Sequence, residues 1–392
     1  MRKGWEYKKL GEVATFINGD RGKNYPSAKD FVESGVPFIN AGHLNNGIIS
    51  YDKMNYITIN KYNSLGSGKI IKNDILFCLR GSLGKYAIVA EDSMGAIASS
   101  LVIIRPFQNA DNRFIAHFLS SAKIKEYIAK NNNGSSQPNL SAKSVASFII
   151  PLPPLSTQLA IVTELDKINE LIRLKKEQLK DFDNLAQSLF YEMFGDPVEN
   201  EKGWEVKKLG DISSIGTGST PNRKNKDFYK NGTYPWVKST EVCNLPIYSV
   251  EEYITEEALK NSNCTLYPPN TILMAMYGQG KTRGQIGLLK IEACTNQAVA
   301  AIMPTKEVVD EIFLSQHLML MYEHIRNMAR GGNQANLNLS IVKSIQIFLP
   351  PLPFQRLFAQ RIEQIEREKS EVQKSIQDLE TLLASRMQYW FE

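Results

Sequence analysis

The stretch KGWEYKKLG, beginning at Lys3, returns at Lys202 as KGWEVKKLG, with one position in nine changed. A second pair lies further on. GSSQPNLSAKSVASFIIPLPPLSTQ, from Gly134, matches GGNQANLNLSIVKSIQIFLPPLPFQ, from Gly331, at 12 of 25 positions. Between them Tyr56-Ile57-Thr58 is echoed by Tyr253-Ile254-Thr255, and NDILF at Asn73 by NTILM at Asn270. Matches in one order at nearly one offset mean a tandem duplication, so whatever this chain folds into, it does so twice.

Each copy has two parts. The first is about 150 residues of short β-like runs (KIIKNDILFCL, LVIIRP) and Gly/Asn-rich loops, followed by an amphipathic helix from near Asp111 bearing Phe114, Phe118, Tyr127 and Ile128. That mixture predicts a compact α+β domain. A PLPPL or LPPLP run then interrupts regular structure, because proline lacks an N–H and fixes φ. The second part predicts a long helix. Residues 156–194 hold no Pro or Gly and place Ile161, Leu165, Ile168, Ile172, Leu179, Phe182 and Leu189 in 3/4 steps. Residues 355–391 do the same with Phe358, Ile362, Ile365, Val372, Ile376, Leu379 and Leu383. A seam held that long reads as a coiled coil, interrupted at Lys175, Lys369 and Arg386. The alternative is a helix lying on its own domain's core.

The predicted organisation is therefore a globular domain over 1–154, a spacer helix and linker over 155–199, a second globular domain over 200–353 and a second helix over 354–392. Two helices that each follow their own domain pair most simply antiparallel, which makes a pseudo-two-fold repeat with the domains held apart. On this reading a short insertion near Gly195 lengthens the spacer.

Composition narrows the function. The net charge of +5 is uneven: residues 1–154 carry +8 and 200–353 carry +2, against −4 over 155–199 and −1 over 354–392. A polyanion would meet the two globular segments. No apolar run reaches the ~20 residues of a membrane span, and MRKGWEYKKLGE is no signal peptide, so a cytoplasmic protein is expected. Cys78, Cys243, Cys264 and Cys294 form no CxxC pair and read as buried free thiols. His43, His117, His317 and His324 lack zinc-ligand spacing and read as packing or surface residues. Gly280-Lys281-Thr282 matches the end of a P-loop, but the glycine required five residues earlier is Ala275. No catalytic motif of a hydrolase, metalloprotease, deaminase, nuclease or amino-methyltransferase is found.

The candidate site lies in the loops. The first copy offers Arg21, Lys23 and Asn24; Arg80, Ser82 and Lys85; and Ser135, Ser136, Gln137 and Asn139. The second offers Asn222, Arg223, Lys224 and Lys226; Gln279, Lys281, Arg283 and Gln285; and Asn333, Gln334 and Asn336. Lys and Arg attract phosphates. Arg reads guanine bidentately, and Asn or Gln reads adenine. Ordinary turn chemistry uses the same residues. The ends of the copies match while these loops diverge, so two readers of two different half-sites are expected.

With KGWEYKKLGEV and KGWEVKKLGDI opening the domains, and NLSAKSVASFIIPLPPLSTQ and NLNLSIVKSIQIFLPPLPFQ leading into heptad helices, the whole chain resembles the specificity subunit of type I restriction–modification systems. Thr157 and Phe354 depart from the acidic residue common before that Gln. The resemblance implies a non-catalytic subunit that reads a bipartite, asymmetric double-stranded DNA target. It implies two methyltransferase subunits using S-adenosylmethionine, and two restriction subunits using ATP and Mg²⁺. It implies helices that set the gap and dock the methyltransferases, and no cofactor or metal on this chain. Two other readings stay open from the residues alone: a coiled-coil adaptor that binds proteins, and a nucleotide-dependent enzyme built on Gly280-Lys281-Thr282.

Overall fold

The computed structural model describes residues 4–45, 47–131, 138–278, 280–329 and 336–392. The chain forms two compact units: residues 1–176 with 374–392, and residues 177–373. Both are α+β, and both are assembled in the same way.

In the first unit, strands Ala14–Asn18, Leu101–Pro106, Ile75–Cys78 and Tyr86–Ile88 form one antiparallel sheet in that order. In the second, Ser213–Thr217, Val299–Pro304, Ile272–Ala275 and Ile286–Leu289 repeat it, with Leu245–Ile247 added parallel at the edge. The central strand of each is buried on both faces, and its side chains alternate between two cores. Ile75 and Phe77 face the helical side, while Leu76 and Cys78 face a smaller core under the loops. Ile272 and Met274, then Leu273 and Ala275, divide likewise. Each strand starts from an asparagine in the left-handed region, Asn73 (φ 72°) and Asn270 (φ 69°). Asparagine tolerates that conformation better than most residues, which accounts for the NDILF/NTILM echo.

The single amphipathic helix expected from Asp111 is two helices, Asn112–Ser120 and Ala122–Asn131, broken at Ser121. Asp111 caps the first by accepting from the Arg113 and Phe114 amides (2.9 and 3.0 Å). In the second unit Asp310 caps Glu311–Leu320 through Ile312 and Phe313 (2.9 and 3.1 Å), and Tyr322–Met328 follows.

The matching sequence ends meet in space. Strand Glu6–Lys9 pairs antiparallel with Ile149–Leu152, and Glu205–Lys208 with Gln346–Leu349. The glutamine after each proline run then fastens the long helix to its domain. Gln158, fully buried, donates to the Pro153 and Asn109 carbonyls (2.8 and 3.1 Å) and accepts from the Asp111 amide (2.9 Å). Gln355 donates to Pro350 O (2.7 Å) and accepts from the Asp310 amide (3.0 Å).

The long helices run Leu155–Phe194 and Leu352–Phe391, 40 residues each, or about 60 Å of helix. Within the first unit Arg386 pairs with Glu164 (3.0 Å for the Nη2 bond) and Lys176 with Glu380 (2.7 Å). Within the second, Lys369 pairs with Asp183 (2.8 Å) and Glu366 (2.9 Å). Partners descend on one helix as they rise on the other, so the pairing is antiparallel, and two of the polar interruptions serve as ion-pair sites.

Both readings of the apolar seam hold, each over part of it. Ile161 and Leu165 belong to the first domain's core, with Phe391 inserted against Phe114 (5.3 Å) and Phe118 (5.8 Å). Phe358, Ile362 and Ile365 belong to the second domain's core, joined by Phe190 and Phe194, with Phe182 and Leu189 packed at its edge. Leu383 packs at the edge of the first core. Ile168, Ile172, Val372 and Ile376 are buried, and Leu179 and Leu379 half-buried, outside both cores. The tryptophan of each KGWE motif receives a helix end: Trp390 stacks on Trp5 (6.1 Å, 5°), and Trp204 Nε1 donates to Phe194 O (3.0 Å). Because Phe194 is already locked into the second domain, an insertion near Gly195 lies beyond the spacer and does not lengthen it.

The cysteine expectation holds for Cys78 and Cys294, which are buried. Cys243 is exposed and Cys264 half-buried, and all four are free thiols. They follow loop position rather than hydrophobicity: Cys243 lies in the segment between two short strands.

Candidate nucleic-acid interface

Strand register places the candidate loops together. Asn18 lies opposite Val102, Cys78 opposite Leu101, and Tyr86 opposite Phe77. The loops carrying Arg21, Lys23 and Asn24 and carrying Arg80, Ser82 and Lys85 therefore leave one end of the first sheet. Asn139 joins them through a bridge to Arg80, flanked by Gly81 N–Pro138 O (3.1 Å) and Leu140 N–Leu79 O (2.8 Å). In the second unit Thr217 opposes Ala300, Ala275 opposes Val299, and Met274 opposes Ile286. Residues 218–226, 276–278 and 280–285 thus share one sheet end, and Leu337 N–Met276 O (3.1 Å) brings Asn336 beside them. Ser135, Ser136, Gln137, Gln279, Asn333 and Gln334 lie outside the described residues.

The root of the first loop is tight in both copies. A Cβ at Gly19 would meet the Ala98 carbonyl at 2.7 Å, and one at Gly218 would overlap the Thr295 carbonyl, so only glycine lets the chain pass. Beyond the root the copies part. Asp20 ties the first copy's loop down by accepting from Gly66 N (2.6 Å) and Arg21 N (2.7 Å). The second copy's loop is held by aromatic and charged groups: Trp236 Nε1 donates to Ser219 O (3.0 Å), Tyr229 OH to Pro221 O (2.6 Å), and Thr220 to Gln297.

Arg21, Lys23, Arg80, Ser82, Lys85 and Asn139 are exposed, and Asn24 is half-buried. In the second unit Asn222, Lys224, Lys226, Lys281 and Asn336 are exposed, while Arg283 and Gln285 are half-buried. Asn222 spends its side-chain oxygen on the Lys224 amide (3.0 Å). Arg223 is bound at both guanidinium nitrogens to Glu252 and lies over the Tyr229 and Trp236 rings at 4.4 and 4.8 Å. Its hydrogen bonds hold the Glu252 carboxyl below the usual carboxylate range. In each unit this end can therefore present several exposed cations and amides to a phosphate-bearing groove.

Gly280-Lys281-Thr282 is not a phosphate cradle. Its carbonyls point to protein donors: Tyr322 OH donates to Lys281 O (2.6 Å), and Arg326 to Gly280 O (2.8 Å) and Arg283 O (3.0 Å). Strand Ile286–Leu289 follows, not the helix a P-loop requires. Among the described residues no cluster of His, Cys, Asp and Glu is placed to hold a metal ion, and no helix is long and apolar enough to cross a membrane.

The supports of these loops escaped the sequence reading. Tyr322 and Arg326 offered a signal, since a four-residue step puts both on one helix face. Asp20, Trp236 and Glu252 offered none, because each acts on a segment remote in sequence.

The family described as the type I restriction modification DNA specificity domain matches residues 2–181 and again 201–381, and the chain belongs to it. Among curated relatives, the type I restriction enzyme MjaIX specificity subunit of Methanocaldococcus jannaschii is 24% identical over 91% of this chain and 85% of its own. The HindI specificity subunit of Haemophilus influenzae is 23% identical over 91% and 92%. The fold is that of a type I restriction–modification S subunit from M. genitalium (TM-score 0.61, 14% identity, 99% of this chain and 96% of that one). It is also that of a chain solved in work on complex assembly and conformational transition of the type I R-M system (TM-score 0.65, 19% identity, 99% and 97%). The chain is a specificity subunit with two recognition domains.

Proposed function

We propose that each unit reads one half of a split, asymmetric DNA target through the loops at the end of its central sheet, and that the paired helices set the gap between the halves. The observation that carries this is the convergence of three loops at one sheet end, in both copies, on matched scaffolds with unmatched side chains. Arg21, Lys23, Arg80 and Lys85 serve one half-site; Lys224, Lys226 and Lys281 serve the other. The exposed leucines of the long helices, Leu171, Leu174 and Leu382 in the first unit and Leu185 and Leu357 in the second, offer each unit its own docking residues for one of two methyltransferase subunits that bind S-adenosylmethionine. Two restriction subunits using ATP and Mg²⁺ complete the assembly, and this chain contributes no catalytic group.

Methylome sequencing of cells expressing the chain with its methyltransferase partner tests this. A bipartite motif is expected, lost when the chain is removed. Inserting one heptad after Lys176 and one after Gln373 lengthens both helices by about 10 Å and keeps the seam in phase. The gap should widen while both half-sites stay the same. A contiguous motif, or an unchanged gap, rules the reading out.

A further inference from the structure

We propose that Arg223 is a positioning residue: it pins the first recognition loop of the second domain so that Lys224 and Lys226 meet the DNA phosphates, and does not itself touch DNA. This inference rests on the reading of the loops just given and reverses the role its sequence suggests.

The argument is geometric. Arg223 spends both terminal nitrogens on the two oxygens of Glu252, with Nη2–Oε2 at 3.0 Å. Its flat face covers Tyr229 and Trp236. These are the two rings whose polar tips hold the loop backbone, at Pro221 O and Ser219 O. One guanidinium thus joins an acidic residue of the neighbouring strand segment to both struts of the loop. A bidentate, stacked arrangement is one that Arg makes and Lys cannot. To reach a phosphate, Arg223 would have to abandon the carboxylate and both rings together.

Its neighbours are placed differently. Lys224 follows an Asx turn closed by Asn222, with Asn225 N bonded to Asn222 O (3.0 Å). Lys226 begins a short 3₁₀ turn whose Phe228 is buried. Both lysines are exposed, and among the described residues neither is ion-paired. The backbone on either side is fixed while the ammonium groups face solvent, which suits a phosphate clamp.

The test measures affinity and salt dependence for the chain assembled with its methyltransferase partner, on a duplex carrying the motif found by methylome sequencing. Lys224→Ala and Lys226→Ala should each make the log–log salt slope shallower by about 0.9. Arg223→Ala, Arg223→Lys and Glu252→Gln should each weaken binding roughly tenfold with the slope unchanged, because the bound loop still brings both lysines to phosphates and only the cost of ordering the unpinned loop rises. Glu252→Gln is decisive. If Arg223 contacted a phosphate, releasing it and removing a negative charge would strengthen binding; if it positions the loop, binding weakens. Overturning results are tighter or unchanged binding by Glu252→Gln, a shallower slope for Arg223→Ala, or an unaltered slope for the lysine variants. An unmodified complex that binds no duplex overturns the reading of the site itself, a different outcome.

Discussion

The two recognition domains share their joints and differ in what braces their loops. Gln158 and Gln355, Asp111 and Asp310, Asn73 and Asn270, and Gly19 and Gly218 do the same work twice, and Trp5 and Trp204 each receive a helix end, one by stacking and the other by a hydrogen bond. Around the first loop the copies diverge. Trp236 N bonds to Glu252 O in the second domain, and Phe38 N to Asn55 O at the matching place in the first. The first copy therefore lacks the carboxylate that anchors Arg223, and its loop is tied by Asp20 instead. Elsewhere, the ion pair between buried Asp74 and half-buried Arg105 of the first domain (2.8 Å) is replaced by Thr271 and Met303 in the second. Duplication preserved the places where a domain grips a helix and left the loop supports free to change, as an asymmetric reader requires.

The gripping places should give the largest effects. Phe190 fills the second core, against Phe313 at 5.8 Å and Phe358 at 5.6 Å, and Phe391 fills the first. Phe190→Ala should cost about 3–5 kcal/mol in the second domain, and Phe391→Ala a similar amount in the first. A two-domain chain has no single unfolding free energy, so native-state hydrogen exchange, read domain by domain, is the measurement. Loss of protection spread equally over both domains in either variant would show that the joints are not local.

Acid should separate the domains next. His317 is fully buried among Phe190, Phe313 and Phe348; Nε2 lies 3.1 Å from Pro197 O, and Nδ1 has no partner among the described residues. Burial pushes its imidazole down to about 4. Above pH ~6.5 the unfolded chain is also neutral at this residue and full stability is present. As pH falls from there towards 4, the unfolded imidazole takes a proton that the folded one refuses, and the second domain loses on the order of 3 kcal/mol. The first domain has Phe118 at the matching position and should show no such loss by this route. His317→Phe should flatten the second domain's exchange protection between pH 7 and 5.

Smaller losses are expected from the glutamine clamps. Gln158→Leu and Gln355→Leu strand buried carbonyls and should cost about 1–3 kcal/mol each. Gln158 makes one more bond than Gln355, so the first domain should suffer more; equal losses would show that the bond to Asn109 contributes nothing.

The sequence disclosed what repeats and what is periodic. Two Pro/Gly-free runs predicted helices within three residues of where they start, and the duplication predicted two α+β domains. It did not disclose that Phe190 and Phe391 leave the seam to enter cores, because a 3/4 pattern is the same whether its partner is a helix or a sheet. The loops were legible as Gly-rich and basic. Which of their cations are free was not, since Glu252 lies 29 residues from Arg223 and no local pattern links them.

The helix ion pairs should give the smallest effect, and they test whether the spacer depends on charge or on burial. Lys176 and Glu380 meet at 2.7 Å with more than half of each side chain exposed. Water and salt screen such a pair, and holding two long side chains costs entropy, so Lys176→Met should change stability by less than about 0.5 kcal/mol. Lys369 is more enclosed and faces both Asp183 and Glu366, so Lys369→Met removes two ion pairs made by a partly shielded ammonium and should cost more. If Lys176→Met proves the costlier change in hydrogen exchange of the helix amides, charge rather than burial is holding the rod together.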